Sequence, residues 1–253
     1  MAIPKKIHYV WVGNAEISER DKKFIADWQI LNPDYEIRRW SERDIDLKEY
    51  PLVAQAIQEK RWALASDIIR MYAVFCEGGF YLDTDVELLR PLNDLEQYNA
   101  VAGWESSTWF TTAVFGARKH SPWIQKVLQR YHKATIHGKI KTETFLKTVH
   151  SLSIYAQDFI PLRSDGKTRI YDGQFAVFAR EVFCPKHYAT GELKITENTR
   201  AIHHYESTWH NKAERLQSTL GKGAFKLAGE RGVRPFEKIY HKNLERKIRK
   251  ELN

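Results

Sequence analysis

The stretch RWALASDIIRMYAVFCEGGFYLDTDVELLRP, residues 61–91, constrains the fold more than any other part of the chain. Its first half has the pattern of a helix that is apolar on almost every face, interrupted only by Ser66, Asp67 and Arg70. Such a helix expects burial on most sides. Gly78-Gly79 then ends it, because glycine tolerates the backbone conformations that close a helix and turn the chain. Phe80-Tyr81-Leu82 follows, apolar enough for a buried strand, and this strand runs into two carboxylates, Asp83 and Asp85. On a strand, side chains two residues apart share a face. The pair would repel unless something positive lay between them, and a hard divalent cation such as Mn²⁺ or Mg²⁺ prefers carboxylate oxygen.

The remaining pattern fits an α/β domain with a largely parallel sheet. Lys6 to Val12 reads as a first strand ending at Gly13-Asn14. Ser18 opens a helix carrying Phe24, Ile25, Trp28 and Leu31, and Tyr35 to Trp40 alternates like a strand. Leu52 to Glu77 is helical in two pieces. Val101 to Trp104 and Thr112 to Gly116 read as strands, and Ser121-Pro122 opens a further helix. Phe175 to Cys184 and Thr199 to Tyr205 read as late strands. In sheets of this kind ligands bind beyond the carboxyl ends of the strands, where the acidic pair falls.

At 253 residues the chain suits one large domain or two small ones. Its two cysteines, Cys76 and Cys184, have no CxxC spacing, which points to a reducing compartment rather than a disulfide framework or zinc site. The opening MAIPKKIHYVWVG is too polar for a signal segment, and no apolar run approaches the roughly 18 residues of a membrane span. The expected location is cytoplasmic. Of the net charge of +8, the segment from Lys212 contributes +7, through twelve Lys/Arg against five Glu. The reading is therefore a domain over residues 1–211 and a basic helical extension, 212–253, packed on it.

Several groups of residues bear on chemistry. An isolated DxD is a common polar strand end; here the apolar strand before it makes an uncompensated pair expensive. Asp67 and Arg70, spaced i, i+3, share one helix face. Read blandly they are an ion pair; on a buried helix before an acidic strand end they form a polar wall suited to a hydroxyl-rich ligand. In Ile202-His203-His204-Tyr205-Glu206-Ser207-Thr208-Trp209 only one of the adjacent histidines can face a site, and a neutral imidazole is a good third ligand for Mn²⁺. Trp11, after Val10 at the first strand's end, is either core or a stacking surface for a nucleobase. Walker, GxGxxG, HExxH and GxSxG patterns are absent, which removes P-loop, standard dinucleotide, zincin and α/β-hydrolase chemistry.

The block ALASDIIRMYAVFCEGGFYLDTDV resembles the signature of glycosyltransferase family 32, which includes bacterial capsular and exopolysaccharide transferases and the yeast initiating α-1,6-mannosyltransferase. It is also similar to the glucosyltransferase domain of the large clostridial toxins. IPKKIHYVWVGN and AIHHYESTW match the family's outer blocks, so the resemblance spans roughly residues 3–210. It implies a GT-A fold, an α/β/α sandwich with a mostly parallel nucleotide-binding sheet. It also implies a retaining transfer from a nucleotide sugar, with UDP favoured. By the same likeness Asp83 and Asp85 hold the ion against the diphosphate, with His204 at the place of a third metal ligand. Asp67 and Arg70 grip the donor sugar after the small residue Ser66; Trp11, beside Val10, stacks on the base; Ser207 and Trp209 close over the diphosphate. One departure stands out. Where relatives place an asparagine, this chain has Phe110-Thr111-Thr112-Ala113.

The implied acceptor is a saccharide or lipid-linked oligosaccharide, in capsular, exo- or lipopolysaccharide assembly, with an α-linkage as product. The basic tail would then rest on anionic lipid at the inner face of the plasma membrane, or merely pack on the body; no nucleic-acid partner is expected. The rivals are a host-directed toxin-like transferase, a metal-dependent phosphoesterase and a non-catalytic sugar-nucleotide binding module.

Overall fold

The computed structural model describes residues 2–106, 109–136, 148–188 and 190–206, with the isolated positions 239, 243 and 246. Ser207, Trp209, the boundary expected after residue 211 and nearly all of the basic tail lie outside the described residues.

The chain opens with β1 (Lys6–Val10), α1 (Glu19–Leu31) and β2 (Glu36–Trp40), and the two strands run parallel in register from Lys6↔Glu36 to Val10↔Trp40. Ser18 starts α1 as the sequence anticipates, its hydroxyl accepting the Asp21 N–H at 3.1 Å. Next come α2 (Pro51–Gln58), α3 (Trp62–Glu77) and β3 (Gly79–Leu82), which pairs parallel with β1. Gly78 adopts φ +67°, and a Cβ there would sit 2.5 Å from the Lys119 nitrogen. Only glycine allows α3 to stop there and β3 to begin.

The order continues with β4 (Val86–Leu88), β5 (Ala100–Gly103), β6 (Val114–Ala117), α4 (Pro122–Ile136), α5 (Thr148–Ala156), β7 (Arg169–Tyr171), β8 (Phe175–Phe178), α6 (Arg180–Phe183) and β9 (Ala201–His203). Among the described residues, seven strands form one sheet in the order β2-β1-β3-β6-β5-β8-β7, and β4 pairs with β9 in a small second sheet. The large sheet is mixed rather than mostly parallel. β1 runs parallel with β2 and β3, and β5 with β8, but β3/β6, β5/β6 and β7/β8 are antiparallel. The physical reason lies in the connections: β5 returns directly into β6 and β7 into β8, and strands joined this way run antiparallel. The run Phe175–Cys184, expected as one strand, splits into β8 and α6. The turn brings Phe183 onto Gly103, where a Cβ would lie 2.5 Å from its ring.

Alternation along β3 divides the molecule into an α/β/α sandwich. Phe80 and Leu82 enter one core with Phe24 and Trp28 of α1. Tyr81 enters the other with Ile68, Ile69 and Val74 of α3 and Trp123 and Val127 of α4. Those three α3 side chains are fully buried, each contributing about 1.5–3 kcal/mol of transfer free energy. Among the described residues no helix is long and apolar enough to cross a membrane.

Glu77 ties α3 to the first two strands by accepting from Lys6 Nζ at 2.7 Å and from Arg38, whose guanidinium lies 4.0 Å over the Trp40 ring. Burial works to raise the Glu77 pKa, but Lys6 and Arg38 outweigh it and hold it below the ordinary 4.5. A carboxylate lowered on folding stabilises above its unfolded value and loses that contribution as pH falls through its folded one. Glu77→Gln is therefore expected to cost about 1 kcal/mol near neutrality. The melting-temperature gap to the parent should close as the pH drops well below 4.5; a gap unchanged across that range would contradict the ion-pair account.

Candidate active site

The acidic pair does not sit on a strand. β3 ends at Leu82, and Asp83-Thr84-Asp85-Val86 forms a tight turn closed by the Val86 N–H donating to the Asp83 carbonyl at 3.0 Å. Asp83 keeps the alternation of β3, so it emerges on the Tyr81 and α3 side, where the Tyr81 hydroxyl donates to its Oδ1 at 2.7 Å. Asp85, beyond the bend, approaches β9. The turn thus gives each carboxylate a different neighbour while keeping the two close.

On the α3 side the neighbour is Arg70, whose side chain is 6% exposed. Its Nη1 lies 3.2 Å from Asp83 Oδ1 and donates to the Thr112 carbonyl at 3.0 Å. Nη2 donates to Ser66 Oγ at 3.2 Å and lies 3.4 Å from Asp67 Oδ1. The guanidinium also stands 4.7 Å from the Tyr81 ring centre. Burial opposes its charge, but Asp83, Tyr81 and Asp67 raise its pKa above the ordinary arginine value. Ser66, Asp67, Arg70 and Asp83 therefore form one network, with arginine's planar fork as its hub.

On the β9 side the neighbour is His203, not His204. β4 and β9 pair in the register Val86↔His203, and His203 Nε2 lies 3.4 Å from Asp85 Oδ1. The expected metal ligand His204 points elsewhere: its Nε2 is 2.9 Å from Glu87 Oε2, and its ring stacks on Phe24 at 5.2 Å. Adjacent side chains at a strand end face opposite ways, and the pairing register decides which way. Tyr205 then takes a left-handed φ of +57°, and the Glu206 N–H that follows donates back to Asp85 Oδ2 at 2.9 Å. Burial works to raise the Asp85 pKa, but His203 and this backbone donor lower it to about 2. Burial likewise opposes charge on His203, yet Asp85 raises its pKa well above 6.5.

Asp83, Asp85 and His203 each offer a ligand atom, and these atoms lie within 4.8 Å of one another. The two carboxylates suit Mn²⁺ or Mg²⁺, and the imidazole nitrogen favours the transition metal of the two. Arg70 and His203 supply the positive charge that makes the pair tolerable in the protein alone.

The ends of β1 and β3 lie at one edge, because the two strands are parallel with Ile7↔Phe80 and His8↔Tyr81. Val10 and Trp11 fall at that edge, both buried, and the Trp11 indole donates to the Ala15 carbonyl at 2.6 Å. The loop beyond lies against Trp62, whose ring would be 3.2 Å from a Cβ on Gly13. Thr111 and Thr112 are buried, and they enter the network through the Thr112 carbonyl rather than a side chain. Sequence reasoning did not single out Tyr81, Thr84, Asp21 or Trp62. Only Tyr81 had a legible signal, two residues before Asp83 on the same strand.

The description "Glycosyltransferase sugar-binding region containing DXD motif" matches residues 18–102, from the cap of α1 to β5. Inositol phosphoceramide mannosyltransferase 3 of Schizosaccharomyces pombe is 31% identical over 135 residues, covering 51% of this chain and 37% of that protein. Subversion of eukaryotic traffic protein A of Legionella pneumophila is 26% identical over 134 residues, or 42% of this chain and 20% of that one. The chain thus spans less than two fifths of the length of these relatives. Among solved structures, the PaToxG glycosyltransferase superposes with a TM-score of 0.55 at 24% identity, covering 63% of this chain and 70% of that one. The fold is that of the GT-A glycosyltransferases, and the chain carries a glycosyltransferase DXD region.

Proposed function

We propose that this chain is a retaining, metal-dependent glycosyltransferase that moves a sugar from a nucleotide sugar, UDP-linked by preference, to an acceptor hydroxyl with formation of an α-linkage. The observation that carries the reading is the convergence of Asp83, Asp85 and His203 beside the Arg70–Asp67 network, at the edge where β1 and β3 end.

Asp83, Asp85 and His203 would hold Mn²⁺ or Mg²⁺. When bound, such an ion neutralises charge on a departing diphosphate. The chain's own groups do the remaining work. Asp67, 22% exposed at its side chain, is the member of the network most open to a sugar hydroxyl. Arg70 and Ser66 fix its position from beneath, and holding the donor in one orientation is itself a large part of the rate. Trp11 and Val10 mark the nucleoside end, and Ser207 and Trp209 are assigned to the diphosphate by likeness alone. The C1–phosphate bond breaks as the acceptor oxygen bonds to C1 from the same face, and the acceptor's proton passes to the departing phosphate oxygen. This leaves no step that needs a separate protein base.

The acceptor class assigned is a saccharide or lipid-linked saccharide hydroxyl. The basic segment from Lys212 is assigned to an anionic membrane surface. The test is donor hydrolysis across UDP-glucose, UDP-galactose, UDP-GlcNAc, UDP-GalNAc and GDP-mannose, each with Mn²⁺, Mg²⁺ or a chelator. One donor should release nucleoside diphosphate slowly and only with metal. Silence from every donor, with no metal-linked nucleotide binding in thermal shift, would overturn the reading. A β-anomeric product by NMR would overturn the retaining assignment alone.

A further inference from the structure

We propose that Asp21 of α1 is a positioning residue for the metal-binding turn, holding Asp83 and Asp85 in their relative orientation through the Thr84 hydroxyl. The inference rests on the metal-dependent reading above.

One buried stripe of α1 backs the turn. Asp21, Phe24 and Trp28 are all buried on it, and Asn32 continues it just past the helix end. Thr84 Oγ1 donates to Asp21 Oδ2 at 3.3 Å; Trp28 Nε1 donates to the Val86 carbonyl at 2.9 Å; Asn32 Oδ1 accepts the Leu92 N–H at 2.8 Å. Thr84 stands between the two acids, is 6% exposed, and reaches toward α1 while its neighbours reach Arg70 and His203. Thr84 is the first of the turn's two central residues. Rotating its peptide would swing the two carboxylates apart, and the Asp21–Thr84 bond resists that rotation.

Asp21 is a costly choice for packing alone. It is fully buried, and its Oδ1 has no hydrogen-bond partner among the described residues, the nearest cation being Arg20 Nη2 at 3.9 Å. Buried polar atoms without partners are rare and destabilising. The residues that follow it on the stripe, Phe24 and Trp28, are apolar. What Asp21 does that they cannot is accept a hydrogen bond from the residue between the two metal-binding acids. Residues that orient ligands from behind typically change metal affinity 10- to 100-fold when removed.

The experiment is calorimetric titration of the full chain with Mn²⁺, without nucleotide sugar, alongside melting temperatures in chelator. Thr84→Val keeps the side chain's shape and deletes the donor; Thr84→Ser keeps the donor. Thr84→Val and Asp21→Ala should weaken Mn²⁺ binding about 10- to 100-fold, with Thr84→Ser close to the parent. If Asp21→Ala does not fold, the isosteric Thr84→Val decides. Equal Mn²⁺ affinity in parent and Thr84→Val, with only the melting temperature lowered, would overturn the positioning role and leave the metal site standing. Thr84→Ser as weak as Thr84→Val would also overturn it. A parent that binds no Mn²⁺ would overturn both this inference and the metal-dependent reading.

Discussion

Replacing Asp85 with alanine is expected to lower metal-dependent nucleoside diphosphate release by about 10²- to 10³-fold, the scale of losing a preorganised charge-stabilising element. The same change removes the partner of His203 and the acceptor of the Glu206 N–H. In chelator, with no metal to mask it, this loss should destabilise the protein by about 1–3 kcal/mol. Its pH dependence follows from the two shifts. Asp85 is lowered from 3.8 to about 2, so its contribution is present above 3.8 and lost as pH falls through about 2. His203 is raised above 6.5, so its contribution is full below 6.5 and lost as pH rises through the raised value. The melting-temperature gap between parent and Asp85→Ala should therefore be widest between 3.8 and 6.5. A gap flat with pH would mean that the pair is not ionised as described.

The largest stability loss is expected at Arg70. Arg70→Met retains most of the apolar stem but leaves Asp83, Asp67, Ser66 and the Thr112 carbonyl without their common donor. Removing one partner from a buried charged network costs about 3–5 kcal/mol, or roughly 6–20 °C in melting temperature for a chain of this size. Arg70→Lys should recover little, because one ammonium cannot reach both carboxylates, the hydroxyl and the carbonyl at once. Adding Asp83→Asn to Arg70→Met should return part of the loss, since the Asp83 carboxylate left without its countercharge is then gone. A melting temperature within about 2 °C of the parent for Arg70→Met would show that the network is solvated and structurally minor.

Much of this arrangement is legible in the sequence alone. The helix that stops at Gly78, the strand that follows and the acids at its end are local features, written in hydrophobic pattern and glycine placement. The i, i+3 spacing of Asp67 and Arg70 is equally local, and their predicted shared face is observed at 3.4 Å. The first β-α-β unit, with the Ser18 cap, also follows from residues close in sequence. The misread features share a dependence on distant pairing. The mixed sheet depends on which strand β6 joins, and the break in Phe175–Cys184 depends on Phe183 finding Gly103 across the sheet.

The choice between the two histidines makes the same point within the site. Sequence by itself determined that one of His203 and His204 would face the acids and the other would not, because a strand alternates. It also determined that two acids would follow a buried strand and need positive charge beside them. Only the tertiary structure decided that β4 pairs with β9 so that Val86 meets His203, and a shift of one residue would have turned His204 inward. It likewise decided that the acids sit on a turn backed by Asp21, and that Arg70 and His203 supply the countercharge. The contact between Asp85 and the Glu206 N–H joins residues 121 apart. No local pattern encodes such a contact, because it exists only once the sheet registers are set.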